Sequence, residues 1–185
     1  MNLKRNLLIT LVMTTISVIL CTLGFTPASQ PIDSIAVIWP GSLLHSVGTI
    51  LFGGWGIIAT ILAAIIADVV NVGTLHATLG YIVPDFLQAL IPAIYYRHVI
   101  KKHGWGPQVY KFWPFFFYAV LLSNIVGAIA GTLILYSWSQ THLWLPFVRW
   151  LIANIPISLF LGYPLLRFLG PTIAEEGWVV KGWWK

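Results

Sequence analysis

Long apolar stretches alternate with short charged segments along this chain. Four stretches contain no Lys, Arg, Asp or Glu: residues 6–32, 34–67, 112–148 and 150–166. A helix needs about 20 apolar residues to cross about 30 Å of membrane hydrocarbon. The pattern therefore predicts six membrane-spanning helices, at about residues 6–26, 34–53, 55–72, 79–97, 112–137 and 146–168.

The predicted boundary between the second and third helices is Gly53-Gly54, where two flexible residues permit a tight turn. The composition agrees with a membrane protein, since 58% of the residues are hydrophobic, 8% are charged and the mean hydropathy is +0.87. The predicted fold class is an all-α integral membrane protein, with residues 1–185 forming one transmembrane domain. We interpret the first apolar stretch as a helix because it is longer than the apolar part of a usual signal peptide.

The distribution of positive charge predicts the orientation, because Lys and Arg concentrate in cytoplasmic loops. With six spans and a cytoplasmic N-terminus, nine of the ten basic residues fall inside; these are Lys4, Arg5, Arg97, Lys101, Lys102, Lys111, Arg167, Lys181 and Lys185. Only Arg149 falls outside. The sequence therefore predicts a multi-pass protein of the cytoplasmic membrane with both termini inside, and the basic pI of 9.5 requires no nucleic-acid partner.

Two aspartates, Asp68 and Asp85, lie within otherwise apolar segments, each near the predicted external end of its helix. Asn71 and Gln88 follow them by three residues and so share their helix faces, and His76 lies in the predicted loop between. A carboxylate within a membrane helix is costly, so it usually lines a cavity or has a partner. Asp68 is the stronger functional candidate, whereas Asp85, just after Pro84, is either a pocket residue or a helix cap.

Two further helices contain polar faces that complete a candidate pocket. His45 lies among Ser and Thr residues just after Trp39, and Asn154 follows Arg149 at the external end of the last helix. Trp39 is placed to stack on a flat ligand. The candidate binding residues are Trp39, His45, Asp68, Asn71, His76, Asp85, Gln88, Arg149 and Asn154.

Several kinds of chemistry lack a sequence signature. The histidines have no HxxxH or HExxH spacing, so we predict neither a metal site nor a cofactor. There is no GxxxxGK[ST] loop for ATP and no GxSxG nucleophile, and we predict no catalytic residue and no enzyme activity. Active transport by this chain would therefore need energy from a partner or an ion gradient.

Small residues recur at four-residue spacing in two helices, as Gly127 and Gly131 and as Ala59, Ala63 and Ala67. Such spacing permits close contact between helices. The contact is either inside this chain or with another protein.

The stretch "GTILFGGWGIIATILAAIIADVV" and the ending "ANIPISLFLGYPLLRFLGP" resemble the substrate-binding S components of energy-coupling factor (ECF) transporters. The resemblance implies capture of a vitamin or similar small micronutrient from outside, in a pocket formed by the candidate residues and closed by loops 27–33, 72–79 and 138–145. It also implies partners: a transmembrane coupling subunit and two ATPase subunits. The family's alanine-rich face on the first helix is replaced here by Thr10, Thr14, Ser17 and Cys21.

Two alternatives remain open. The stretches "VIWPGSLLHSVGTILFGGW" and "PDFLQALIPAIYYRH" also resemble membrane sensor domains of the MASE1 type, although those usually have more helices. The third interpretation is an intramembrane enzyme that uses Asp68, Asp85 and the histidines, for which no reaction can be named.

Overall fold

The structure, a computed structural model, describes residues 3–24, 38–71, 75–139 and 142–184. Within these ranges the chain is helical and has no β-strand. We number six helices in chain order: α1 Leu3–Gly24, α2 44–52, α3 Gly54–Asn71, α4 Leu75–His103, α5 112–139 and α6 Trp144–Glu175. A short 3-10 helix, Pro107–Tyr110, connects α4 to α5.

Parts of three helices are π-helical, which widens the helix locally. In α2 this part is Leu44–Gly48. In α5 and α6 the π-helical stretches begin just after Pro114, Pro156 and Pro164. Proline has no N–H to donate to the preceding turn, so the regular hydrogen-bond pattern is interrupted at these positions.

The predicted helices agree with the structure except for the second one. α4 is longer than predicted, and α6 continues to Glu175. The prediction of a helix at 34–53 is wrong at its start, because residues 38–41 form a turn in which Ser42 N–H donates to Trp39 O at 3.1 Å. Residues 34–37 lie outside the described ranges. At about 1.5 Å per residue, α2 is only about 13 Å long.

Among the described residues, three helices are long and apolar enough to span a membrane: Leu3–Thr22, Phe112–Trp138 and Trp144–Glu175. Gly54–Val70 is a shorter apolar helix. Large apolar side chains cover the outer faces, for example Leu11 on α1 and Phe160 and Phe168 on α6, which are 63%, 71% and 74% exposed. An apolar exterior of this kind is that of a membrane protein, since lipid solvates it without cost.

The short helix α2 lies at the centre of the bundle. It packs against α1, α3, α4, α5 and α6, and residues Leu44–Leu51 are all buried. The turn at Gly53, whose φ is 60°, reverses the chain into α3. A β-carbon at Gly56 would collide with the Gly48 carbonyl, so these glycines permit the close approach of α2 and α3.

The small-residue stripes pack inside the chain. Ala59, Ala63 and Ala67 are buried, and Thr14 Oγ1 donates to Ala59 O at 3.4 Å where α1 crosses α3. The α1 stripe of Thr10, Thr14, Ser17 and Cys21 is likewise buried. These small residues therefore make their close contacts inside the chain and not with another protein.

One end of the bundle, which we call the basic end, is formed by the start of α1, the Gly53 turn, the last part of α4 and the C-terminal tail 177–184. The tail turns at Gly177 and crosses this end, where Val180 N–H donates to Leu51 O at 2.9 Å and Gly54 N–H donates to Trp183 O at 2.8 Å. Arg5 donates to Gly177 O at 2.7 Å. The tail therefore covers the basic end of the bundle.

Candidate functional site: a buried polar cluster

Five polar side chains from four helices lie in the interior of the bundle. We call them the polar cluster: His45 on α2, Asp68 on α3, Asp85 and Gln88 on α4, and Asn124 on α5. Their residue exposures range from 1% to 6%. Their burial is costly unless each polar atom finds a partner, in the protein or in a bound molecule.

The centre of the polar cluster is the contact between His45 and Asp85. His45 Nε2 lies 3.6 Å from Asp85 Oδ1. Gln88 lies one turn beyond Asp85 on the same face of α4, and Asp68 on α3 is buried as well. One imidazole and one carboxyl group therefore form the centre of the polar cluster.

Gln88 and Asn124 connect α4 to α5. Gln88 Nε2 donates to Asn124 Oδ1 at 3.0 Å, and Asn124 Nδ2 donates to Val120 O. A β-carbon at Gly127 would collide with the Gln88 side chain. Gly127 was predicted to permit a close helix contact. In the structure it makes room for the Gln88 side chain rather than for the backbone of another helix.

Helix α6 adds a polar and aromatic wall beside the polar cluster. Trp150 packs over Gly131, and its ring centroid lies 5.8 Å from that of Tyr81, one turn before Asp85 on α4. Asn154 Nδ2 donates to Trp150 O at 2.8 Å. Ser158 Oγ reaches Ser42 O on the α2 side at 3.5 Å. The wall therefore links α6 to both α4 and α2.

In and beside the polar cluster and the α6 wall, some buried polar atoms have hydrogen-bond partners and others do not. The Ser46 and Thr49 hydroxyls donate to carbonyls of their own helix at 2.8 and 2.7 Å. In and beside these groups, five buried atoms have no hydrogen-bond partner within the described part of the chain: Ser42 Oγ, His45 Nδ1, Gln88 Oε1, Trp150 Nε1 and Asn154 Oδ1. Other such atoms, for example Ser17 Oγ, Thr60 Oγ1 and Tyr96 OH, lie elsewhere in the bundle. Buried atoms of this kind normally have partners. The set contains both donors and acceptors, which suits a ligand carrying both.

On its α1 and α3 side His45 is tightly packed. A crevice lined by Ser17, Cys21, Trp39, His45 and Thr60 is too narrow to hold a water molecule. This side of His45 therefore offers no space for a ligand.

The structure brings most of the predicted site residues into the interior. Trp39, His45, Asp68, Asp85, Gln88 and Asn154 are buried. Trp39 N–H donates to Ala153 O at 3.2 Å, which ties the start of α2 to α6 next to Asn154. Arg149 is half-buried at the position before Trp150.

The remaining predicted positions lie outside what is described. This applies to the side chains of Asn71 and His76 and to residues 25–37, 72–74 and 140–141. The prediction of a loop at 72–79 that contains His76 is wrong for residues 75–79, because α4 begins at Leu75.

Asp85 was predicted to be either a helix cap or a pocket residue, and the structure shows that it is not a helix cap. α4 begins at Leu75 and has no acidic residue in its first turn. Asp85 therefore lies about 15 Å along the helix from its start. Pro84 does not mark a helix start, because α4 continues through both Pro84 and Pro92.

Sequence reasoning missed Asn124. It is 2% exposed and is the hydrogen-bond partner of Gln88. The signal was present, since Asn124 lies in a charge-free stretch, one turn before Gly127 and so on the same face. An amide within an apolar helix is expected to face a partner rather than lipid.

Side chains of the types that bind metal ions do not cluster in the described part of the chain. In the described ranges no three or more His, Cys, Asp or Glu side chains come together as metal ligands would.

Comparisons of this chain with protein-family models, with curated proteins and with solved structures found no match. The class of protein is thus defined by fold and site alone. It is an all-helical protein with at least three helices able to span a membrane, an apolar exterior and an interior polar cluster.

Proposed function

We propose that this chain is the membrane-embedded substrate-binding subunit of an ECF-type uptake transporter. It captures a vitamin or similar small micronutrient from the external side, and partner subunits power its import. The observation that carries the proposal is the polar cluster with its wall, where five buried donors and acceptors lack partners in the described chain. A small polar ligand satisfies such atoms, whereas lipid does not.

The proposed topology has six passes, with both termini in the cytoplasm. α1 and α3 both begin at the basic end, where Arg5 and Gly54 contact the tail. Between the end of α1 and the start of α3 the chain therefore returns to the basic end. This supports a second pass that includes α2. The basic residues of the α4 end and the tail favour the cytoplasm for this end.

The positions of the polar residues relative to the two ends of the bundle support entry from the external side. The tail covers the basic end, and Asp85 lies about 18 Å along α4 from Arg97 at that end. Asp68 lies close to the opposite end of α3, which stops at Asn71. A ligand held by the polar cluster is thus closer to the external side.

The binding step itself needs no catalysis, and the chain has no nucleotide-binding loop. The proposal therefore requires a transmembrane coupling subunit and two ATPase subunits. The small-residue face of α1 is buried against α3, so it is not the docking surface.

The first experiment tests ligand class and partners together. The purified protein is titrated with a panel of water-soluble vitamins in a calorimeter, and a tagged form is isolated from its native membranes. We expect one vitamin-sized compound to bind with micromolar or tighter affinity and a coupling subunit with two ATPases to co-purify. No binding across the panel, together with isolation as a lone chain, would overturn the proposal.

A further inference from the structure

A large cleft lies at the basic end, between the last turns of α4 and the C-terminal tail. Its volume is about 620 Å³, within the range of roughly 300–1,000 Å³ typical of small-molecule sites. Positive and aromatic side chains dominate its lining: Arg97, His98, Lys101, Trp105, Lys181 and Trp183. No acidic residue of the described chain lines it.

Arg97 makes this cleft positive at its base. The residue is 5% exposed, and its guanidinium donates to the carbonyls of Val180, Gly182 and Ile50. These partners are neutral, and no carboxylate of the described residues pairs with the guanidinium. Arg97 Nε has no partner in the described part of the chain.

An apolar groove continues from the cleft along the outside of α4 and α5. Its volume is about 410 Å³, and it is lined by Ile91, Ile94, Tyr95, His98, Tyr118 and Leu122. Ile94 and His98 line both spaces, so the cleft and the groove adjoin. Tyr95 stacks on Tyr118 with 3.8 Å between ring centroids and forms part of the groove wall.

We propose that the cleft and the groove together bind one anionic phospholipid. The phosphate lies in the cleft near Lys101 and Lys181, and an acyl chain lies along the groove past Ile94. Basic residues next to membrane-spanning helices attract anionic headgroups. Trp105 and Trp183 suit the headgroup level, where tryptophan is favoured.

The combination of a positive cleft and an adjoining apolar groove favours a lipid over a free anion. A phosphate alone needs the cleft but not the groove, whereas a neutral lipid needs the groove but gains little from two lysines. Only an amphipathic anion uses both. Because the tail supplies Lys181 and Trp183 while α4 supplies Lys101, a bound lipid also joins the tail to α4.

The test uses the detergent-purified full chain and native mass spectrometry. Phosphatidylglycerol, phosphatidylcholine, glycerol 3-phosphate and inorganic phosphate are titrated separately. The lysine variant is Lys101→Gln with Lys181→Gln, and its matched control is Lys4→Gln with Lys102→Gln, which removes two exposed lysines outside the cleft. A third variant, Ile94→Trp, fills the shared part of the groove.

We expect phosphatidylglycerol to bind in preference to the other three compounds. The lysine variant should weaken its binding at least about fivefold, as expected for lost lysine contacts with an anionic headgroup, with less than a twofold change in the control. Ile94→Trp should also weaken it. Equal binding of both lipids, or equal losses in the lysine variant and its control, overturns the proposal. Tight binding of inorganic phosphate that Ile94→Trp leaves unchanged overturns the lipid assignment in favour of a free anion.

Discussion

His45 Nε2 lies 3.6 Å from Asp85 Oδ1, and both side chains are 5% exposed. The pair joins the central helix α2 to the long helix α4 in the interior of the bundle. Removing one member of a buried pair costs more than replacing both, because a single deletion leaves a polar group without its partner.

The first prediction is a double-mutant cycle on this pair. Asp85→Leu alone and His45→Leu alone should each lower the free energy of unfolding by about 2 kcal/mol, because each leaves a buried polar group without its partner. The double variant should return it to within about 1 kcal/mol of wild type. Thermal or denaturant unfolding in detergent measures all three. Additive losses in the double variant would show that the two side chains do not interact.

The second prediction concerns the space that Gly127 gives to Gln88. Gly127→Ala should push Gln88 away from Asn124 and cost about 1–3 kcal/mol, as overpacking does. Gly106→Ala is the matched control, since its backbone is extended and no atom lies within 4 Å of the added carbon. If the two variants unfold alike, Gly127 is not holding Gln88 in place.

The third prediction compares two glycines with positive φ. Gly53 and Gly104 have φ values of 60° and 73°, so an alanine is strained at both. Only at Gly53 would the new carbon meet the tail, 2.8 Å from Gly182 O. Gly53→Ala should therefore lower the melting temperature by several degrees more than Gly104→Ala. Equal shifts would mean that the tail does not pack on the Gly53 turn.

The fourth prediction concerns Arg97 as the anchor of the tail. Arg97→Gln removes donors to three backbone carbonyls, so trypsin should cleave after Lys181 faster than in wild type. Arg167→Gln, an exposed site on α6, should leave that rate unchanged. Cleavage at the wild-type rate in Arg97→Gln would exclude the anchoring role.

Much of the helical framework follows from the sequence. The four-residue spacing of Ala59, Ala63 and Ala67 predicts a close helix contact, because only small residues let backbones approach, and α1 packs there. The turn at Gly53 was predicted for a similar local reason. These features depend on residues near one another in the chain.

Other features depend on tertiary context and were not predictable. The second helix starts later than expected because Pro40 and Gly41 form a turn, although proline is also common at the start of a helix. Asp85 was placed near the start of its helix because proline usually breaks helices, yet neighbouring helices in an apolar bundle tolerate it. Arg97 was predicted to lie at the cytoplasmic end of its helix, but its partner Val180, 83 residues away, could not be predicted.

The candidate site was predicted in part. Polar residues on apolar helices indicated His45, Asp68, Asp85, Gln88 and Asn154, and the structure buries all five. Their relative placement depends on how α2 inserts between the other helices, which no local pattern encodes. The same insertion brings Asn124 into the polar cluster.

The most direct measurement is native mass spectrometry of the protein isolated gently from its own membranes, compared between Asp85→Asn and Glu176→Gln. Asp85→Asn removes a carboxyl group from the polar cluster. Glu176→Gln removes one from the exposed chain directly after α6. We predict that wild type and Glu176→Gln retain a vitamin-sized ligand and that Asp85→Asn loses at least about threefold in occupancy, as expected when one hydrogen bond of a buried contact is lost. Equal ligand retention in both variants, or no ligand in wild type at any step, would contradict the account.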